Sequence, residues 1–198
     1  NYGITSTANT QTYIFTGDVS KWTGAYVSQK DKTSTIKFYG SATEMGAAIT
    51  RTAGTINMEV GDGTNAFTTT FKKAVSASKL AINNKASATF EETLTLTGDL
   101  TLDGSASLKK GGSVGVIDLS HGGNAHGTLT LAAGQNLTYS SSFWGANNNK
   151  LLLGEGATVK QANNAPIEIV GLAGESYVSS SANKQFSLSE SAFTLHNV

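Results

Sequence analysis

Two histidines, an aspartate and a run of glycines come closest to a reactive centre in this 198-residue chain. They lie in Asp118-Leu119-Ser120-His121-Gly122-Gly123-Asn124-Ala125-His126-Gly127. Imidazoles five residues apart can approach one ion or act as a general base, and Asp118 offers a third donor. A zinc site takes four ligands, or three and a water. The spacing here matches no zinc pattern, and His196 stands far away in sequence. A solvated surface turn accounts for the stretch, and no metal or cofactor is expected.

Carboxylates come next, because paired Asp and Glu divide acid and base work in polysaccharide cleavage. Glu91, Glu92, Asp99, Asp103 and Asp118 are the candidates. Asp99 follows Gly98 and Asp103 precedes Gly104, the placing of turn formers. A lyase also needs cations against its uronate, and Arg51 is the one arginine. No catalytic activity is expected. Gly61-Asp62-Gly63-Thr64-Asn65 has the look of a calcium or phosphate loop but lacks the trailing Glu of an EF-hand and the Gly-Lys-Ser/Thr of a P-loop. A hairpin turn between Val60 and Phe67 explains it better. No Gly-x-Ser-x-Gly elbow is present. Asn136-Leu137-Thr138 is a formal glycosylation sequon. Tyr139, Phe143 and Trp144 flank a serine triplet, and aromatics beside small polar residues are candidates for glycan contact, with core packing as the competing reading.

Composition narrows the classes. Charged residues make up 14% of the chain, against roughly 25% in ordinary soluble domains. Thr, Ser, Asn and Gly supply the polarity instead, and short side chains suit closely stacked strands. The net charge is +0, with no basic cluster, so nucleic acid is not an expected partner. There is no cysteine and hence no disulfide. No apolar run approaches the roughly 20 residues of a membrane-spanning helix. The single proline, Pro166, fits long strand ladders.

The elements that must position these residues read as short strands. Apolar-x-apolar doublets recur from Ile56 and Met58 to Phe186 and Leu188, and period two places each doublet on one face of a strand. A stricter signal lies in the middle. Phe90, Leu96, Leu102, Leu108 and Val114 follow each other at every sixth residue, with corners such as Gly98-Asp99 and Asp103-Gly104 between them. Six residues are too few for a strand and a hairpin, but they fit strand, corner, strand, corner around a coil. A β-sandwich or meander with uneven hairpins stays open, since Asp-Gly is also a hairpin signal. Ser41 to Ile49, with Glu44 at capping-box spacing from Ser41, predicts one or two turns of helix. The runs Ser140–Ser142, Asn147–Asn149 and Ser179–Ser181 read as protruding loops.

The segment Tyr13 to Val27 carries Phe15, Gly17, Val19, Ser20, Trp22, Thr23, Gly24 and Val27. It resembles the strand repeats of bacterial autotransporter passenger domains. Gly127-Thr128-Leu129-Thr130-Leu131 and Leu151-Leu152-Leu153-Gly154-Glu155-Gly156-Ala157-Thr158-Val159 look like degenerate rungs of the same kind. The resemblance implies an all-β, right-handed parallel β-helix, displayed at the bacterial cell surface or released outside, with a C-terminal β-barrel translocator in the parent protein. The barrel is absent from this chain. Residues 1–198 are expected to form one β-solenoid segment of nine or ten coils, a rod of about 45 Å at about 4.8 Å per rung. Its expected role is adhesin or structural display without membrane insertion of its own, with a host or cell-surface glycan or protein as partner. A carbohydrate-active β-helix enzyme and a β-sandwich glycan-binding module are the alternatives.

Overall fold

Every strand that stacks in the body of the molecule runs the same way as its neighbour. The computed structural model describes residues 4–5, 9–119, 127–144, 149–162, 167–171, 176–180 and 194–196. Among these there is no helix, and the strands form three parallel ladders wound into a β-solenoid. The first ladder holds Tyr26–Val27, Ile49–Thr50, Val75–Ala77 and Leu94–Leu96. The second holds Thr10–Phe15, Thr33–Phe38, Thr55–Val60, Lys79–Ile82 and Asp99–Leu102. The strands Gly112–Asp118 and Asn136–Trp144 are long enough to serve both, turning from the first ladder to the second at an irregularity between Val114 and Val116. The third ladder runs from Thr43–Met45 through Thr68–Phe71, Ser87–Phe90, Ser105–Leu108, Thr128–Leu131 and Lys150–Leu153 to Thr194–His196.

The chain completes six circuits, beginning at Tyr26, Ile49, Val75, Leu94, Gly112 and Asn136. Nine or ten coils were expected, and the difference has a physical source. One circuit takes three strands, and its corners vary in length: Leu94 to Gly112 spans 18 residues, Ile49 to Val75 spans 26. The doublet spacing mixed strands of different faces and so undercounted the residues per circuit. Beyond Thr158–Gln161 the stacking on that face also changes sense, while Thr194–His196 stays parallel on the third. Ile167–Gly171 pairs antiparallel to that strand, and Ser176–Ser180 antiparallel to the next. The seven rungs of the second face, from Thr10–Phe15 to Asn136–Trp144, span six steps, about 29 Å rather than 45 Å.

The six-residue step is the shortest circuit seen edge on. Phe90 belongs to the third face, Leu96 to the first, Leu102 to the second, Leu108 to the third again and Val114 to the first. Phe90 and Leu108 face each other one rung apart. All five are buried.

Alternation explains why each strand lies as it does. Thr33–Phe38 reads intermediate, buried, intermediate, buried, as its side chains point by turns outward and inward. The inward residues stack into columns. On the second face Tyr13, Ile36, Met58, Leu80, Leu100, Ile117 and Phe143 succeed each other; on the third, Met45, Phe71, Phe90, Leu108, Leu131 and Leu153. Each fully buried side chain of this size contributes about 1.5–3 kcal/mol, which offsets the entropy of ordering its rung. At the N-terminal end Trp22 packs half-buried against the core, its ring 5.7 Å from Phe15, as an aromatic cover over the coil.

Ser41 to Ile49 is extended, not helical: Thr43–Met45 and Ile49–Thr50 are strands. The local capping signal loses to rung stacking. Gly46 sits so close to the preceding coil that a Cβ there would fall 1.9 Å from the Ser20 carbonyl oxygen. The serine triplet is no loop either. Ser140 to Ser142 form the bend inside the strand Asn136–Trp144. Asn149 is buried, its amide donating to the Leu119 carbonyl. Ser179 and Ser180 lie in the strand Ser176–Ser180, while 147, 148 and 181 fall outside the described residues.

Candidate functional site

The outward positions of the three faces differ in chemistry. The third face presents two columns of hydroxyls, Thr68, Ser87, Ser105, Thr128 and Thr70, Thr89, Ser107, Thr130, the first followed by Lys150 and the second preceded by Glu44. The second face carries charge, relief and an exposed aromatic. Beside a short column of Thr10, Thr33 and Thr55, its outward residues form two longer ones. One holds Thr35, Asn57 and Lys79, with Asp99 on the next rung. The other reads Ile14, Lys37, Glu59, Ala81, Thr101, Asp118 and Trp144.

Ala81 is the smallest side chain of its column, and the surface sinks above it. The depression has a volume of about 350 Å³ and is walled by Thr35, Asn57, Glu59, Lys79, Asp99 and Thr101. Its charges are paired across rungs. Lys79 Nζ lies 3.1 Å from Asp99 Oδ2, and Lys37 Nζ lies 2.9 Å from Glu59 Oε2. Glu59 also accepts from Tyr39 Oη at 2.5 Å and Asn83 Nδ2 at 3.0 Å. Asn83 donates as well to the Gly61 carbonyl at 2.6 Å, so the cluster ties three successive coils together.

Burial pushes the Glu59 carboxyl up, but hydrogen bonds from Tyr39 and Lys37 and the Lys37 charge outweigh it and hold the carboxyl below its ordinary value. A carboxyl depressed in the folded state contributes stability above its unfolded pKa, near 4.3, and loses it as pH falls through the folded value. Glu59→Gln is therefore expected to lower the urea midpoint at pH 7. The gap to wild type should close as titration proceeds toward pH 3. A gap that stays constant over this range would show that the cluster holds Glu59 by packing alone.

The sequence candidates are scattered by the fold. Tyr139 and Phe143 are each 3% exposed and face the core, their rings 6.0 Å apart. Of the three aromatics only Trp144 presents its ring outward, at 44% exposure. Asp99 and Asp118 share the second face on neighbouring rungs. Asp103 lies on the corner after the second face, and Glu91 is on the corner after the third face, bound to Lys72 at 2.7 Å. Glu92 is exposed beside it. Gly61 to Asn65 is a corner between the second and third faces rather than a hairpin, because the strands it joins do not pair. Asp62 turns it, accepting from the backbone N–H of Thr64 at 2.9 Å and of Asn65 at 2.8 Å. His121 and His126 lie outside the described residues, and of His196 only the backbone is described. Among the described residues no three His, Cys, Asp or Glu side chains converge as metal ligands. A second depression, on the third face, is walled by Asp18, Ser20, Glu44, Thr68 and Thr70. There Asp18 is bound by Ser20 and Glu44 faces Lys72 at 3.5 Å.

The depression over Ala81 could not be found by scanning for reactive residues. Its signal is a small residue at an outward position, between Lys79 and a corner, and that signal acquires meaning only when the rungs above and below are known. No family model, curated protein or solved structure matches this chain.

Proposed function

We propose that this chain is a non-catalytic, surface-displayed or secreted segment of an autotransporter-like protein, serving adhesion or structural display. One observation carries the reading: the solenoid offers long flat faces with polar ladders and shallow depressions, which suit an extended ligand better than a small one. Stacked coils multiply weak, equivalent contacts along an axis, which is how a rod acquires avidity. The parent protein would carry the translocator barrel, and the segment would work at the bacterial surface or outside it.

The enzyme alternative draws on one feature, the presence of Asp99 and Asp118 on neighbouring rungs of one face. Two assays separate the readings. Beads coated with the chain are expected to adhere to cell or polysaccharide surfaces, and the chain is expected to release no soluble sugar from a polysaccharide panel. Beads that adhere nowhere would remove the adhesive reading. Sugar release that Asp99→Ala or Asp118→Ala abolishes would replace it with the enzyme.

A further inference from the structure

Ile14 and Trp144 are the large hydrophobic side chains left exposed among the described residues, at 57% and 44%. Both stand in the same outward column of the second face, at its two ends. From Trp144 the column runs through Asp118 and Thr101 to Ala81, the floor of the depression. We infer that this column is a subsite for a neutral glycan chain lying parallel to the solenoid axis. The inference rests on the adhesive reading above and names its ligand.

Three properties of the column support that ligand. The first is stacking. An indole ring half out of the surface offers an apolar face to the C–H face of a sugar, with its N–H at the polar edge. The second is pitch. Rungs repeat at about 4.8 Å, close to the length of one pyranose residue, so successive sugars meet equivalent outward positions. Trp144 and Ala81 are three rungs apart, about 14 Å, the span of about three sugar residues. The depression at the far end has the size of a small-ligand site, and Asn57, Thr35 and Thr101 offer it amide and hydroxyl groups.

The third property is charge. The cations of this surface are engaged: Lys79 by Asp99 and Lys37 by Glu59. Asp118 adds a further carboxylate beside Trp144. An acidic polysaccharide would have to break these pairs and approach carboxylates, whereas a neutral chain needs only hydrogen bonds and a ring to stack on.

Isothermal titration of the whole chain tests this, using β-1,4-linked glucose and N-acetylglucosamine oligomers of increasing length, with oligogalacturonate as the acidic counterpart. Neutral oligomers are expected to bind, with affinity rising to about four residues and then levelling as the column is filled. Trp144→Ala should weaken binding about tenfold, and Trp144→Phe should keep most of it. Ala81→Tyr fills the depression from outside the core and should weaken long oligomers while sparing the shortest. Urea midpoints of the variants establish that the coils remain folded. Tighter binding of oligogalacturonate, or affinity indifferent to both Trp144→Ala and Ala81→Tyr, would overturn the inference. So would the absence of sugar binding in a chain whose beads still adhere, and that outcome leaves the adhesive reading standing.

Discussion

Phe71→Ala is expected to destabilise the chain by about 3–5 kcal/mol, a large share of the 5–15 kcal/mol that holds a typical domain together. Phe71 is 1% exposed, and its ring lies 4.9 Å from that of Phe38 and 4.7 Å from that of Phe90. It thus links the second face to the third and one coil to the next. Truncation removes the buried area and leaves a cavity, because the rungs are fixed by their hydrogen-bond ladders and cannot close in. The loss of two ring contacts adds to the deficit. In a stacked array stability is close to a sum of neighbour interfaces, so a gap at one rung weakens both junctions it touches. Urea denaturation followed by circular dichroism measures the effect. Phe71→Leu, which refills most of the volume, should cost less than half as much. Equal midpoints for Phe71→Ala and wild type would mean that this column does not bear the stack.

Gly112→Ala is expected to cost at least about 3 kcal/mol through a different mechanism, backbone collision. Gly112 has φ of +153°, a conformation that side chains rarely adopt. It pairs with Leu94 on one side and Leu137 on the other. A Cβ at this position would stand 1.9 Å from the Leu94 carbonyl oxygen, and backbone cannot rotate away as a side chain can. The two coils would have to part at the point where the first and second ladders merge. Gly17→Ala is the matched control, since nothing lies within 4 Å of its Cβ position. That variant should melt within a degree or two of wild type, or slightly above it. Thermal melting of the pair distinguishes a collision from a general intolerance of alanine. If the two variants melt alike, the close approach at Gly112 is not a constraint.

The two variants mark different depths of legibility. Phe90, Leu96, Leu102, Leu108 and Val114 announced the coil from their spacing alone, because the shortest circuit spends six residues on each side and leaves none for decoration. Elsewhere the corners lengthen and the same signal blurs, which is why nine or ten coils were expected where about six exist. Gly112 gave no such notice: it is one glycine among 22 until Leu94 is seen lying against it. The candidate site follows the same rule. Trp144 was visible as a residue suited to sugar contact. Tyr139 and Phe143 looked equivalent to it, and only the burial of one side of the strand Asn136–Trp144 against the core, which takes Leu137, Tyr139 and Phe143 inward, left Trp144 on the outer side.

The chain by itself determined that its strands are short and which residues of each strand share a side, and its six-residue step favoured corners over hairpins in the middle of the chain. Those properties depend on neighbours one to six positions apart, and backbone geometry imposes them wherever the residues occur. The tertiary structure alone decided which strand lies above which. That choice put Ala81 between Glu59 and Thr101, brought Lys79 to Asp99, and laid Ile167–Gly171 antiparallel on Thr158–Gln161. Register across rungs joins residues 17 to 26 positions apart in the body of the solenoid, and 44 apart where Lys150 meets Thr194, through corners of unequal length. The local pattern is the same for any such offset that keeps the apolar columns aligned, and only the packed core selects among them.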